Sequence, residues 1–154
     1  MLRKQRKSSG FTLVEILIVV VIMAILAATI IPQFSESTTD AKMSSAKFNL
    51  HTLRSQIEVY RAQHNFESPS ATLAELTART DADGNVMPTG GDVADYPYGP
   101  YMRQLPANPF TSSNVVKTVT NDPAAAGDVD TTNGWLYNDT TGGIWINHDT
   151  LYAE

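Results

Sequence analysis

The sequence predicts an α+β fold: one long N-terminal helix, apolar in its first half and amphipathic in its second, packed on a small antiparallel sheet of about three strands. Three observations lead there. From Phe11 to Ile31 the only charged side chain is Glu15. From Met43 to Tyr60 apolar or small residues recur at alternating steps of three and four, the spacing of one helical face. Near the C-terminus two short apolar runs, Trp135-Leu136-Tyr137 and Ile144-Trp145-Ile146, flank a turn-rich segment, which is a hairpin signal. The 154 residues thus divide into a basic leader (1–10), an apolar helix (11–32), an amphipathic helix half (33–66) and a loop-rich body with C-terminal strands (67–154). That length suits one domain plus an anchor.

The leader holds Arg3, Lys4, Arg6 and Lys7, four of the chain's 11 basic residues. The remainder therefore sets seven Lys and Arg against 16 Asp and Glu, and its formal charge falls from −5 to −9. An acidic body argues against sequence-independent nucleic-acid binding, which needs phosphate-neutralising cations. No cysteine is present, which excludes disulfides, thiol catalysis and thiolate metal sites. Basic residues ahead of an apolar run place the N-terminus in the cytoplasm and the body across the membrane.

As a helix, Phe11–Ile31 would reach about 31 Å, the thickness of one hydrocarbon core. A carboxylate inside such a span costs about 2.5–3.5 kcal/mol at mid-depth, so Glu15 calls for a functional explanation. Two plainer readings stay open on the residues alone. One is a secretory signal peptide cut near Ala24, Ala27 or Ala28. The other is a simple anchor that tolerates Glu15 at the positive end of its helix. Neither accounts for the string Gly10-Phe11-Thr12-Leu13-Val14-Glu15.

That string, with the basic leader before it and the apolar helix after it, resembles the signal of type IV prepilins and type II secretion pseudopilins. The resemblance is closest to a major pseudopilin. It implies that a prepilin peptidase cuts between Gly10 and Phe11 and that Phe11 is then N-methylated. It further implies that the α-amine of Phe11 on an incoming subunit pairs with Glu15 of a neighbour, so that Phe11 and Glu15 direct assembly. The implied partners are membrane lipid before assembly, further copies of the chain in a helical filament, and an inner-membrane platform driven by a separate ATPase. The implied location is the inner membrane, crossed once, and then a periplasmic or extracellular filament.

Pro32 ends the apolar run. It lacks an N–H and crowds the Ala28 carbonyl, so it kinks the helix there or opens a second one. Beyond it, the face Met43, Ala46, Leu50, Leu53, Ile57, Tyr60 and His64 is expected to pack on the sheet. Phe48, Val59 and Phe66 lie off that face and either widen the core or meet neighbouring subunits. Lys47, Arg54 and Arg61 draw a basic line beside it, with Glu58 spaced to pair within the helix. The helix is expected to end near Asn65.

Thr72-Leu73-Ala74-Glu75 has the form of a capping box and predicts a short helix through Leu76. Asp81–Asp95 is rich in turn residues. The strings Tyr96-Pro97-Tyr98-Gly99-Pro100-Tyr101 and Leu105-Pro106-Ala107-Asn108-Pro109-Phe110 carry too many prolines for a helix or central strand. They predict an ordered loop whose aromatics cover the sheet or helix, and they resemble loops in major-pseudopilin bodies. Val115–Thr120 reads as the first strand, and Asn121–Gly134 as an acidic loop of small residues.

No nucleophile–base pair, phosphate loop or pair of carboxylates in a pocket is legible, so a structural protein is favoured over an enzyme. No cofactor is expected. Major pseudopilins bind calcium in their C-terminal region, and Asp128, Asp130 and Asn133 are the residues from which such a site would be built here. Asp81-Ala82-Asp83-Gly84-Asn85 has its glycine at the wrong position for an EF-hand. His51, His64 and His148 are too scattered for zinc. Asn138-Asp139-Thr140 matches a glycosylation sequon.

The favoured function is a subunit of a type II secretion pseudopilus. A type IV pilin of a surface filament serving adhesion, twitching or DNA uptake is the first alternative, and a tethered binding module that never polymerises is the second. Secreted protein trapped in the periplasm, long surface filaments, or a cleaved monomer would distinguish the three.

Overall fold

The computed structural model describes residues 10–153, apart from the side chains of Pro32 and Ser35. The basic leader before Gly10 and the ring of Pro32, to which the sequence assigns a kink, lie outside that set. The chain divides into two compact units that part between Asp40 and Ala41. A single helix, α1 (Leu13–Gln63), is assigned through position 32 and covers both the apolar and the amphipathic segments.

In the first unit the large apolar side chains from Phe11 to Ile31 are all exposed. Thr29 and Thr38 turn their hydroxyls back onto carbonyls of the preceding turn, Leu26 at 3.0 Å and Phe34 at 2.7 Å, which hides their polar groups within the helix.

The second unit is built on the periodic face of α1. Ala46, Leu50, Leu53, Ile57, Tyr60 and His64 are buried, and Met43 packs against them. Phe48 and Phe66 remain 71% and 75% exposed, so they do not widen the core. α1 stops at Gln63, slightly short of the expected end. Asn65 and Phe66 take positive φ (53° and 65°), and the Phe66 N–H reaches back to the Arg61 carbonyl at 2.8 Å. This left-handed turn satisfies carbonyls at the helix end, and asparagine enters it at low cost.

The short helix α2 (Ala74–Thr77) forms as expected, but without its capping box. Leu73 sits at the N-cap in the left-handed region, and no side chain caps the helix. Glu75 is buried and accepts a hydrogen bond from the Ser70 hydroxyl at 2.9 Å. Burial of Leu73 and Leu76 in the core outweighs the local cap.

The sheet has three strands, β1 (Val116–Thr118), β2 (Trp135–Tyr137) and β3 (Ile144–Ile146), in the order β1-β2-β3. β2 and β3 form the expected antiparallel hairpin, with Leu136 opposite Trp145. β1 is different: it runs parallel to β2, with Val116 opposite Trp135. The sheet is therefore mixed, not wholly antiparallel. The physical reason is the long connection from Val119 to Gly134, which carries the chain back to the starting end as a parallel pair demands. One 3-10 turn, Ala126–Asp128, lies within it.

β2 and β3 are buried at every position. Trp135, Tyr137, Ile144 and Ile146 join the core with α1, while Leu136 and Trp145 form a second cluster with Val119 and Ala124, against which Val129 and Tyr152 pack. Cover on both faces explains why these strands read as continuous apolar runs without alternation. A Cβ on Gly134 would collide with the Ser113 carbonyl, so only glycine admits this close approach at the start of β2.

The proline-rich segment is an ordered loop, as expected. The Tyr101 hydroxyl donates to Gln63 at 2.8 Å, and the Trp135 indole donates to the Pro106 carbonyl at 2.8 Å. Asn108 is fully buried and donates to the carbonyls of Gly134 and Asn147.

Candidate functional site

Glu15 lies in the first turn of α1 and is held there by Thr12. The Thr12 carbonyl accepts the Ile16 N–H at 3.3 Å, and its hydroxyl oxygen accepts the Glu15 N–H at 3.2 Å. In return, Oε2 of Glu15 accepts from both the Thr12 N–H and the Thr12 hydroxyl, each at 2.8 Å. This reciprocal capping box satisfies donors that a helix start leaves open. It also sets the carboxylate at the positive end of the helix dipole. Among the described residues, Oε1 receives no hydrogen bond.

Gly10, Phe11, Thr12 and Glu15 line a concavity of about 280 Å³, and Phe11 is 85% exposed. The structure thus brings Phe11 and Glu15, the two residues assigned to assembly, to one place. Thr12 is the member that sequence reasoning missed. Its signal was the Thr12-x-x-Glu15 spacing, the same pattern that was read at Thr72. Downstream, α1 is long and apolar enough to cross a membrane, the one such helix among the described residues.

The residues considered for calcium lie in the connection between β1 and β2, where both carboxylate oxygens of Asp130 and one of Asp128 already accept hydrogen bonds. Oδ1 of Asp130 accepts from the Thr132 N–H (2.9 Å) and hydroxyl (3.1 Å), the Asn133 N–H (2.8 Å) and the Asn147 amide (3.0 Å). Oδ2 accepts from the Asn133 amide at 2.8 Å and lies 3.3 Å from the Lys117 ammonium. Burial raises the tendency of Asp130 to hold a proton, but the bonds from Asn133, Thr132 and Asn147 together hold its carboxyl far below the usual range. Oδ2 of Asp128 accepts from Asn121 and from the Ala125 N–H, both at 2.8 Å. Lys117 donates to the Asp128 carbonyl. Asn133 points its amide nitrogen, not its oxygen, at Asp130. Calcium takes six to eight oxygens with free lone pairs, and these residues as arranged do not fit it.

Sequence reasoning did not single out Lys117 or Asn147 for this loop. Asp130-x-x-Asn133 carried an Asx-turn signal, but pairing across strands had none.

His51 is exposed on α1, whereas several other polar groups are taken up by structure. The carboxylate of Asp81 accepts from the Asp83 N–H, the Asn85 N–H and the Asn85 amide within its own turn. His64 is buried, stacks on Tyr60 with centroids 4.0 Å apart, and engages the Tyr60 carbonyl and the Thr80–Asp81 loop. His148 packs on Phe110 at 4.1 Å. No group of three metal-ligating side chains occurs among the described residues. Asn138 of the sequon is 4% exposed, and its oxygen accepts from Thr140 and Thr141 within the hairpin turn.

Comparison with known proteins adds sequence likeness to this description. Residues 5–31 match the prokaryotic N-terminal methylation motif. The chain is similar to type II secretion system core protein G of Pseudomonas aeruginosa, 32% identical over 107 residues that cover 70% of this chain and 71% of that protein. It is similar to the protein of the same name from Vibrio cholerae, 27% identical over 71% of this chain and 70% of that one. It is also similar to prepilin peptidase-dependent protein A of Clostridium perfringens, 34% identical over 56% of this chain and 59% of that protein. No solved structure matches the chain significantly.

Proposed function

The chain belongs to the type II secretion system core protein G family, and we propose that its subunits are registered in a pseudopilus by a contact between Glu15 of one copy and the α-amine of Phe11 on the next. It is a pseudopilin subunit with a prepilin-type signal, the function favoured from sequence. Membership implies a secretion pseudopilus and processing by a prepilin peptidase. The relatives from Pseudomonas aeruginosa and Vibrio cholerae are named as core proteins of a secretion system, which fits a structural role.

Cleavage falls between Gly10 and Phe11, and Phe11 then carries the methyl group. A Cβ on Gly10 would meet no described atom, so the preference for glycine comes from the peptidase and not from this chain's packing. The cut frees an amine that is protonated near neutral pH. In the unpaired chain, Thr12 shares the burden of Glu15 through Oε2. An incoming amine then takes Oε1, and the two charges leave lipid together, which removes much of the cost of each. The apolar faces of α1 supply contact area without register. Insertion, orientation with the N-terminus inside, extraction by a platform with its own ATPase, and a periplasmic filament complete the reading.

The observation that carries this is the placement of Glu15, the only charge in an exposed apolar segment, with one carboxylate oxygen held by Thr12 and the side chain lining a concavity shared with Phe11. Glu15→Ala should leave membrane insertion and leader removal intact and abolish filaments, as judged by fractionation, mass spectrometry and electron microscopy. Normal filaments from that variant would remove the role given to Glu15.

A further inference from the structure

The acidic loop between β1 and β2 holds its own cation. Lys117 is the central residue of β1, and its ammonium lies between the Asp130 carboxylate at 3.3 Å and the Asp128 carbonyl. Both are hard oxygens of the kind that calcium takes as ligands. We propose that the Lys117 ammonium does in this chain what a bound calcium would do, so that the body folds and keeps its loop in place without metal.

Three features carry the argument. The ammonium reaches the loop from the one parallel strand, so it ties the crossover to the strand from which it departs. From the other side, Asn147, just after β3 and almost fully buried, donates to Asp130 and to the Asn133 carbonyl and accepts the Asp130 N–H. Asp130 is thus held by β1, by its own turn and by the end of β3. A divalent ion would have to displace the ammonium and break several of these bonds, since a carboxylate oxygen accepting three or four donors has no lone pair left to offer. The ammonium supplies the positive charge that an ionised Asp130 requires, at 27% side-chain exposure and 33% for Lys117.

The test uses the full chain in detergent, unfolded by heat and followed by the fluorescence of Trp135 and Trp145, with millimolar calcium or with a chelator. The unaltered chain should give the same midpoint in both. Lys117→Met should lower it by about 4–8 °C, and Lys117→Arg, which keeps the charge, should recover most of the loss. A midpoint that rises with calcium in the unaltered chain, or a Lys117→Met chain as stable as the original, would overturn the proposal. Should Lys117→Met fail to fold, direct calcium titration of the unaltered chain decides: no saturable binding supports the assignment, and one ion bound per chain refutes it.

Discussion

The two units of this protein solve opposite solvation problems. In the body, Leu53, Ile57, Trp135 and Ile146 lose nearly all contact with water against one another, and that burial is what holds the fold. In the first unit, side chains of the same kind from Leu13 to Ile31 stay exposed. An apolar surface of that extent is not left in water. In our reading it is covered by lipid or by other copies, so the body is complete as one chain and the first unit is not. Polar groups follow the same division. Asp130 finds its partners within the chain, whereas Glu15 is half satisfied by Thr12 and, in our reading, waits for a second molecule.

Substitutions should separate the two. The largest effect expected is that of Glu15→Ala, loss of assembly with the body's unfolding midpoint unchanged. A shifted midpoint would mean that the units are not energetically distinct in the way described. Next is Leu53→Ala in the packed face of α1, which should destabilise the body by about 2–5 kcal/mol through lost contacts and the cavity left behind. Denaturant unfolding would measure it, and cleavage of the leader should be unaffected.

Thr12→Val keeps the shape but removes the hydroxyl that both accepts from and donates to Glu15. It should cost about 0.5–2 kcal/mol at the helix start and slow assembly without abolishing it. Quantifying filaments against time would show this, and a rate equal to that of the unaltered chain would deny Thr12 its positioning role.

The smallest effect concerns acid. Because its folded-state carboxyl is held low, Asp130 contributes stability that is present above the unfolded value, about 3.9, and is lost as pH falls below it. The body's midpoint should therefore drop between about pH 5 and pH 3, and Asp130→Asn, weaker at neutral pH, should drop less over that range. Equal slopes would show that other carboxylates govern acid unfolding.

Legibility in the sequence followed how local each determinant was. The face from Met43 to His64 was readable because helical spacing is set by the backbone alone, and the hairpin because both strands and their turn are contiguous. The direction of β1 was not, because it depends on how the connection from Val119 to Gly134 crosses the sheet. The two Thr-x-x-Glu patterns make the point most plainly. At Thr12 nothing competes, and the box forms. At Thr72 the same spacing yields to burial of Leu73 and Leu76, and Glu75 turns to Ser70 instead. The Glu15 site was legible as a charge out of place, and Lys117 was not, since its partners lie on other elements.

The central claim is that Glu15 is tolerable in its apolar setting because a neighbour's freed amine completes it. A high-resolution electron-microscopy map of the assembled, leader-free filament measures this directly. The Phe11 nitrogen of one subunit should lie within hydrogen-bonding distance of the Glu15 carboxylate of another. A map in which Glu15 meets only its own Thr12, with every neighbouring amine remote, would contradict it.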